Sequence, residues 1–236
     1  MIDTAKNGYL GSNSQAKNIM LEYMKDKGIN NLYALILSHF DADHAGGTVD
    51  ILENINVRKL YITDVYENTS ISDDIQNLVK SKNIPEEIIT DKKEIYNKNN
   101  LVVTLLKPKG ELVKTENQKS LIAHFSYKGK NFLFMGDGDV NSYDSLEEKF
   151  KQNIAVIKSG HHGAKNTVND EMARNSDLFI LSTGRNVYNH PHPQTIKTIE
   201  QNSKHYLRTD YSNAVKITAD SKIHVQKYSP VYKKFI

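Results

Sequence analysis

The feature that most restricts how this chain can fold is a repeated one: an apolar run of strand length stops abruptly and hands over to a loop rich in His, Asp and Gly. Leu32 to Leu37 stops before His39 to His44, and Phe132 to Met135 before Gly136-Asp137-Gly138. Ile154 to Lys158 stops before Ser159-Gly160-His161-His162-Gly163, and Leu178 to Ser182 before a loop that reaches His192. Short runs that are apolar throughout read as buried strands. Between them the spacing turns helical: Ala16, Ile19, Met20, Tyr23 and Met24 predict a helix from Ser12 to Gly28, and further helices are expected over Ala45 to Asn54, Ser72 to Ser81 and Gln194 to Asn202. The expected class is therefore α/β, with candidate ligands gathered at strand ends.

Other strands are expected at Lys59 to Thr63, Leu101 to Leu106, Ser120 to Tyr127 and Asn131 to Met135, the last two joined by a turn at Lys128-Gly129-Lys130. Two short strands, Ala214 to Thr218 and Lys222 to Lys227, close the chain. The Lys/Asn-rich stretch 91 to 100 reads as a connection, the one place where two half-domains would part. With 236 residues, 38% of them hydrophobic, a single domain over 1–236 is the preferred reading.

Composition removes several classes of function. Cysteine is absent, which excludes disulfides, zinc-thiolate sites and thiol catalysis. The formal net charge is only +3, with no basic tail to hold nucleic acid non-specifically, so an anionic substrate has to be gripped locally. No apolar run approaches the roughly 20 residues of a membrane span, and no basic start leads into an apolar stretch. The expectation is no membrane segment in this chain and a cytoplasmic location by default.

The segment His39-Phe40-Asp41-Ala42-Asp43-His44 packs two imidazoles and two carboxylates into six positions. Carboxylates held that close repel, and a divalent cation is the usual neutraliser. Imidazole nitrogen with carboxylate oxygen suits Zn, Mn or Fe better than Ca or Mg. Gly46-Gly47 then lets the backbone turn tightly. Asp137, between two glycines at a strand end, is placed to bridge two metals. Of His161 and His162, one can ligate while the other orients it or touches substrate. Lys158 and Lys165 bracket that loop and suit a phosphate. His190-Pro191-His192-Pro193 presents two more imidazoles from a stiffened loop, whereas His124, His205 and His224 read as structural.

The spacing His-x-Asp-x-Asp-His-x-Gly-Gly after a strand, then Gly-Asp, then His-His-Gly, resembles the metallo-β-lactamase superfamily, with Asp41 where that family's second His usually stands. Asn117-x-x-Ser120-Leu121, Lys158-x-x-His161-His162-Gly163, Gly184-x-Asn186 and Arg208-Thr209-Asp210 make it similar to the metallo-β-lactamase-like domain of ComEC-type DNA-uptake (competence) proteins, from Asp3 to about Thr218. The resemblance implies an αββα sandwich of two mixed β-sheets flanked by helices, with two divalent metal ions, Zn or Mn, at one edge. His39, Asp41, Asp137 and either His161 or His162 would hold one metal, and Asp43, His44 and Asp137 the other, while Asp3 supports the metal loop. Two departures stand out. The family's middle His has no counterpart, and Asn117 lines that region instead. The chain also begins at Met1-Ile2-Asp3, where members open with a β-hairpin, so the fold is expected to lack that hairpin, and an extracellular location enters if the N-terminus is truncated.

The activity implied is that of a phosphodiesterase or nuclease: two metals lower the pKa of a shared water toward about 7 and so supply hydroxide. Asp43, His190, His192 and Lys158 are the candidate catalytic residues, and Asn117, Ser120 and Lys165 the candidate substrate contacts. The expected partner is nucleic acid or another phosphodiester, with the oligomeric state left open. The alternatives are hydrolysis of an ester, lactone or β-lactam at the same site, or a truncated, inactive remnant that binds metal or nucleic acid.

Overall fold

The computed structural model describes residues 1–6, 14–64, 69–184, 186–229 and 234–235. It divides into two units, Met1–Thr90 and Asp91–Ile236, parted at the head of the Lys/Asn-rich stretch.

In the first unit, a π-helical turn, Ala16–Leu21, runs on into α1 (Glu22–Asp26), with Ala16 and Met24 buried. The start of the expected helix, residues 12 and 13, lies outside the described residues. The apolar run from Leu32 does not form one strand. It splits into β1 (Asn31–Leu32) and β2 (Leu35–Ile36), which belong to different sheets. After β2 come α2 (Ala42–Ala45), α3 (Thr48–Asn54), β3 (Asn56–Val57), β4 (Leu60–Thr63), α4 (Ser70–Ser81) and β5 (Glu86–Ile89). β1 pairs with β3, and β2, β4 and β5 form a second sheet, all in parallel. Ile2 bridges to Ile36, also in parallel, so the first residues of the chain lie against β2.

The helix expected over 45–54 is likewise in two pieces. Gly46-Gly47 lies buried between α2 and α3, where a Cβ on Gly47 would meet the Thr4 carbonyl oxygen at 2.4 Å. α4 opens on a reciprocal cap between Thr69 and Ser72, which satisfies donors that its first turn leaves over. Leu35, Leu37, Ile51, Leu60, Ile62 and Ile75 form the core of this unit.

The second unit is built on a seven-stranded sheet. The stretch 91–100, expected as a connection, contains β6 (Lys93–Lys98) and corrects that reading. Its charged residues are exposed on the edge of a sheet, and only Ile95 and Tyr96 turn partly inward, so the composition of a loop conceals a strand. Asn99 and Asn100, both left-handed, turn the chain into β7 (Leu101–Leu106), as a tight hairpin requires. Then follow β8 (Ile122–Tyr127), β9 (Lys130–Phe134), α5 (Val140–Asp144), β10 (Ile154–Lys158), α6 (Asp170–Arg174), β11 (Ser176–Leu181), α7 (Pro193–Gln201), β12 (His205–Arg208) and α8 (Thr209–Ser212). β13 (Val215–Ala219), β14 (Ile223–Ser229) and β15 (Lys234–Phe235) form a small antiparallel sheet.

The large sheet runs β12-β11-β10-β9-β8-β7-β6 and is mixed, antiparallel from β6 to β9 and parallel from β9 to β12. One core cluster joins Ile122, Leu133, Ile157, Phe179 and Leu181 of its strands to Tyr143, Met172 and Ile199 of the helices. Another joins Val156 and Ile180 to Val215, Ile217 and Ile223. The parallel half has a functional consequence: the loops after β9, β10 and β11 leave the same edge of the sheet, the place where open α/β sheets bind ligands. His124 in β8 is buried edge-to-face against Phe150 (5.0 Å), while His205 and His224 are exposed. No helix among the described residues is long and apolar enough to cross a membrane.

Candidate metal-binding residues in each unit

In the first unit the ligand candidates follow β2, and Asp3 organises them. Asp3 Oδ1 accepts the Ser38 backbone N–H (2.8 Å), and Oδ2 accepts the Ser38 hydroxyl (2.9 Å). His44 Nδ1 lies 2.8 Å from the same Oδ2. An ionised carboxylate can only accept, so His44 Nδ1 carries the proton. Because the Ser38 hydroxyl spends its one hydrogen on Asp3, its oxygen accepts from His39 Nδ1, 3.0 Å away. Both tautomers are thereby set with the lone pair on Nε2. The two buried rings lie 4.1 Å apart, centroid to centroid, inclined at 46°. Asp41 Oδ2 is 3.6 Å from His39 Nε2, with its side chain 57% exposed, and Asp43 is exposed on α2.

The turn that carries His44 is gripped from the N-terminus. Thr4 donates its backbone N–H (2.7 Å) and its hydroxyl (3.0 Å) to the His44 carbonyl oxygen, while Gly47 N–H donates to the Ala5 carbonyl (3.0 Å). Asp3 and Ala5 reach these contacts in left-handed backbone, with φ of 54° and 59°. A non-glycine residue holds that conformation only where its surroundings impose it.

In the second unit Asp137 is buried at the end of β9, and its N–H donates to Ser120 Oγ (3.3 Å). Lys158 donates Nζ to the Gly136 carbonyl (3.2 Å), which braces the Asp137 loop from beneath. The next loop passes so close that a Cβ on Gly160 would lie 1.8 Å from the Gly138 carbonyl oxygen. His161 (φ 43°) and His162 (φ 55°) are both left-handed, at a cost of about 1–3 kcal/mol each, and their environments differ. His162 donates its Nδ1 hydrogen to the Ser182 carbonyl (2.8 Å), which leaves the lone pair on Nε2. His161 has Nε2 3.9 Å from Asp137 Oδ2 and Nδ1 3.4 Å from the Asn117 amide nitrogen.

His190 completes this cluster, its ring 5.3 Å from that of His161. Burial first, and then the neighbouring His161 and His162, hold its pKa below the ordinary imidazole value, against an opposing pull from Asp137. His192 is used differently: its Nδ1 accepts the Gln194 N–H (3.1 Å) and caps α7, whose first residue is Pro193. Lys165 is exposed on the turn after the paired histidines. Sequence reasoning missed the Ser182 carbonyl that separates His162 from His161, and Ser38 as the relay between Asp3 and His39. A main-chain acceptor has no sequence signal, and the only hint of Ser38 is its place beside His39.

A tautomer fixed by a carboxylate, hydroxyl or carbonyl on the far nitrogen is the arrangement that metal-binding imidazoles use. By the chemistry of their donors, His39 and His44 in the first unit, and separately His162 in the second, fit divalent metals that take nitrogen and oxygen ligands.

A family model described as the metallo-beta-lactamase superfamily matches residues 10–169. The chain is 24% identical over 223 residues to ComE operon protein 3 of Bacillus subtilis (strain 168), across 93% of its own length and 29% of that protein. It is also 24% identical over 245 residues to Recombination protein 2 of Haemophilus influenzae, across 94% of its own length and 27% of that protein. The chain thus spans less than a third of the length of these relatives. Among solved structures it is similar to a mutant of CmlA beta-hydroxylase, at 11% identity and a TM-score of 0.54, over 88% of this chain and 48% of that one.

Proposed function

Because the chain belongs to the metallo-beta-lactamase superfamily, whose members typically bind divalent metals such as zinc, we propose that it is a metal-dependent phosphodiesterase acting on nucleic acid. The observation that carries the metal-dependent part is the pair of imidazoles, His39 and His44, whose Nδ1 atoms are committed to Ser38 and Asp3. The choice of nucleic acid rests on the carboxylate-rich donor set and on similarity, over nearly the whole chain, to proteins named for the ComE operon and for recombination.

Each unit supplies residues suited to bind a divalent ion, Zn or Mn: His39, Asp41, Asp43 and His44 in the first, and Asp137 and His162 in the second. His162 is chosen over His161 because the Ser182 carbonyl orients it as a ligand. Bound metals supply Lewis acidity toward phosphoryl oxygens and lower the pKa of water. The chain's own residues do the rest. Asp3 and Ser38 orient the two imidazoles through their Nδ1 atoms, and Lys158 holds the Asp137 loop. His161 and His190 offer ring nitrogens to a phosphate oxygen or to the departing oxygen, with Asn117 beside His161 as a further hydrogen-bond donor.

The test is elemental analysis of protein purified without chelator and reloaded with Zn or Mn, together with turnover of DNA, RNA and a chromogenic phosphodiester. About two equivalents of metal, reduced by Asp137→Ala, with hydrolysis lost in the same variant, is the expected result. Metal binding without cleavage of any of the three substrates overturns the proposal.

A further inference from the structure

Asn186, in the loop between β11 and α7, spends its whole side chain on that loop. Its Nδ2 donates to Thr183 Oγ1 (3.2 Å) and to the carbonyls of Gly184 (2.9 Å) and His190 (2.8 Å). Its Oδ1 accepts from the backbone N–H of Tyr188 (3.1 Å) and of His190 (3.0 Å). Thr209 secures the root of the loop: its Oγ accepts the Thr183 N–H (2.8 Å) and donates to the Thr183 carbonyl (2.7 Å).

What this clamp holds out is apolar. Val187 is 91% exposed and Tyr188 75% exposed, and the Tyr188 ring lies 6.0 Å from that of His190, tilted by 32°. One exposed hydrophobic residue says nothing by itself. An aromatic residue whose backbone is held in water by a dedicated side-chain clamp, its ring beside that of His190, is a different matter, because ordering the loop costs conformational entropy that a ligand-free tip has no reason to spend.

We infer that Tyr188 is a stacking platform for a base of the nucleic-acid substrate, which makes the preferred substrate a single strand read without regard to sequence. The inference rests on the phosphodiester reading above and narrows its substrate. Every base has a π-face, so stacking on a ring tolerates any sequence. Bases in a duplex are stacked on one another and cannot reach such a ring unless they are extruded, so the free strand is favoured. The protein contributes the flat surface and the histidine loop beside it, which together would grip a base and its phosphate.

The chain has no tryptophan, so Tyr188→Trp introduces a single fluorescent reporter at the platform. Zinc-loaded protein is titrated with a phosphorothioate single strand of mixed sequence, chosen to slow cleavage, and with an abasic strand of equal length. Binding is followed in parallel by anisotropy of end-labelled strands. The base-bearing strand should quench the introduced tryptophan and the abasic strand should not. Tyr188→Ala should weaken the base-bearing strand roughly ten- to a hundredfold while leaving the abasic strand unchanged, and Tyr188→Phe should restore affinity. If the base-bearing strand binds without quenching, or if Tyr188→Ala weakens both strands equally, stacking is overturned and the phosphodiester reading stands. If neither strand binds and wild-type protein cleaves no phosphodiester, both fall. Circular dichroism of each variant separates loss of fold from loss of the platform.

Discussion

Lowering the pH from 7.5 to 5 should destabilise the second unit through His124. This imidazole is buried in β8 against Phe150, its Nε2 has no hydrogen-bond partner among the described residues, and burial pushes its pKa from 6.5 down to about 4. The unfolded chain therefore takes up a proton that the folded chain refuses. A histidine depressed in this way costs nothing well above pH 6.5, and its penalty grows as pH falls from 6.5 toward 4. At 1.36 kcal/mol per pK unit, the loss is about 2 kcal/mol at pH 5 and about 3 kcal/mol at pH 4. That is a large share of the stability of a typical domain. The assay is urea denaturation followed by far-UV circular dichroism at pH 7.5, 6 and 5, on the wild type and on His124→Leu, which keeps a side chain of similar size and removes the titrating ring. All other titrations are common to both proteins, so the stability of the variant relative to wild type should rise by about 2 kcal/mol between pH 7.5 and 5. A relative stability constant to within about 0.5 kcal/mol over that range would show that the buried site does not exclude the proton, and the argument would be wrong.

Three further outcomes are expected. Asp3→Ala releases Ser38 and His44 together and should weaken zinc binding roughly ten- to a hundredfold; competition with a chromophoric chelator measures it, and unchanged affinity would remove Asp3 from the metal-supporting role. Gly160→Ala forces a methyl group onto the Gly138 carbonyl and should cost about 3 kcal/mol or more in urea denaturation, whereas Gly184→Ala, with nothing within 4 Å, should change stability by less than about 0.5 kcal/mol. Asn186→Ala should leave the fold intact but speed hydrogen exchange at the Tyr188 and His190 amides, both of which it bonds; equal exchange in the two proteins would mean that the side chain does not hold the loop.

The candidate ligand residues and their places at strand ends were legible in the chain because the residue pattern is local. Two imidazoles and two carboxylates within six residues, a Gly-Asp-Gly and a paired histidine between glycines each stand out without any partner, and the buried strands before them are apolar throughout. The charged edge strand β6 was not legible, because half-exposed edge residues carry the composition of a loop. Nor was the division of the run from Leu32 into strands of two different sheets, since continuous apolarity does not say which neighbour each residue will pair with. Which histidine nitrogen is engaged, and which keeps its lone pair, was decided only by tertiary contacts: Asp3 sets His44 from 41 residues away, and the Ser182 carbonyl sets His162 from 20 residues away. A side chain's identity is a property of the sequence, but its proton and its orientation belong to the hydrogen bonds it makes, and those exist only once distant segments have been folded against each other.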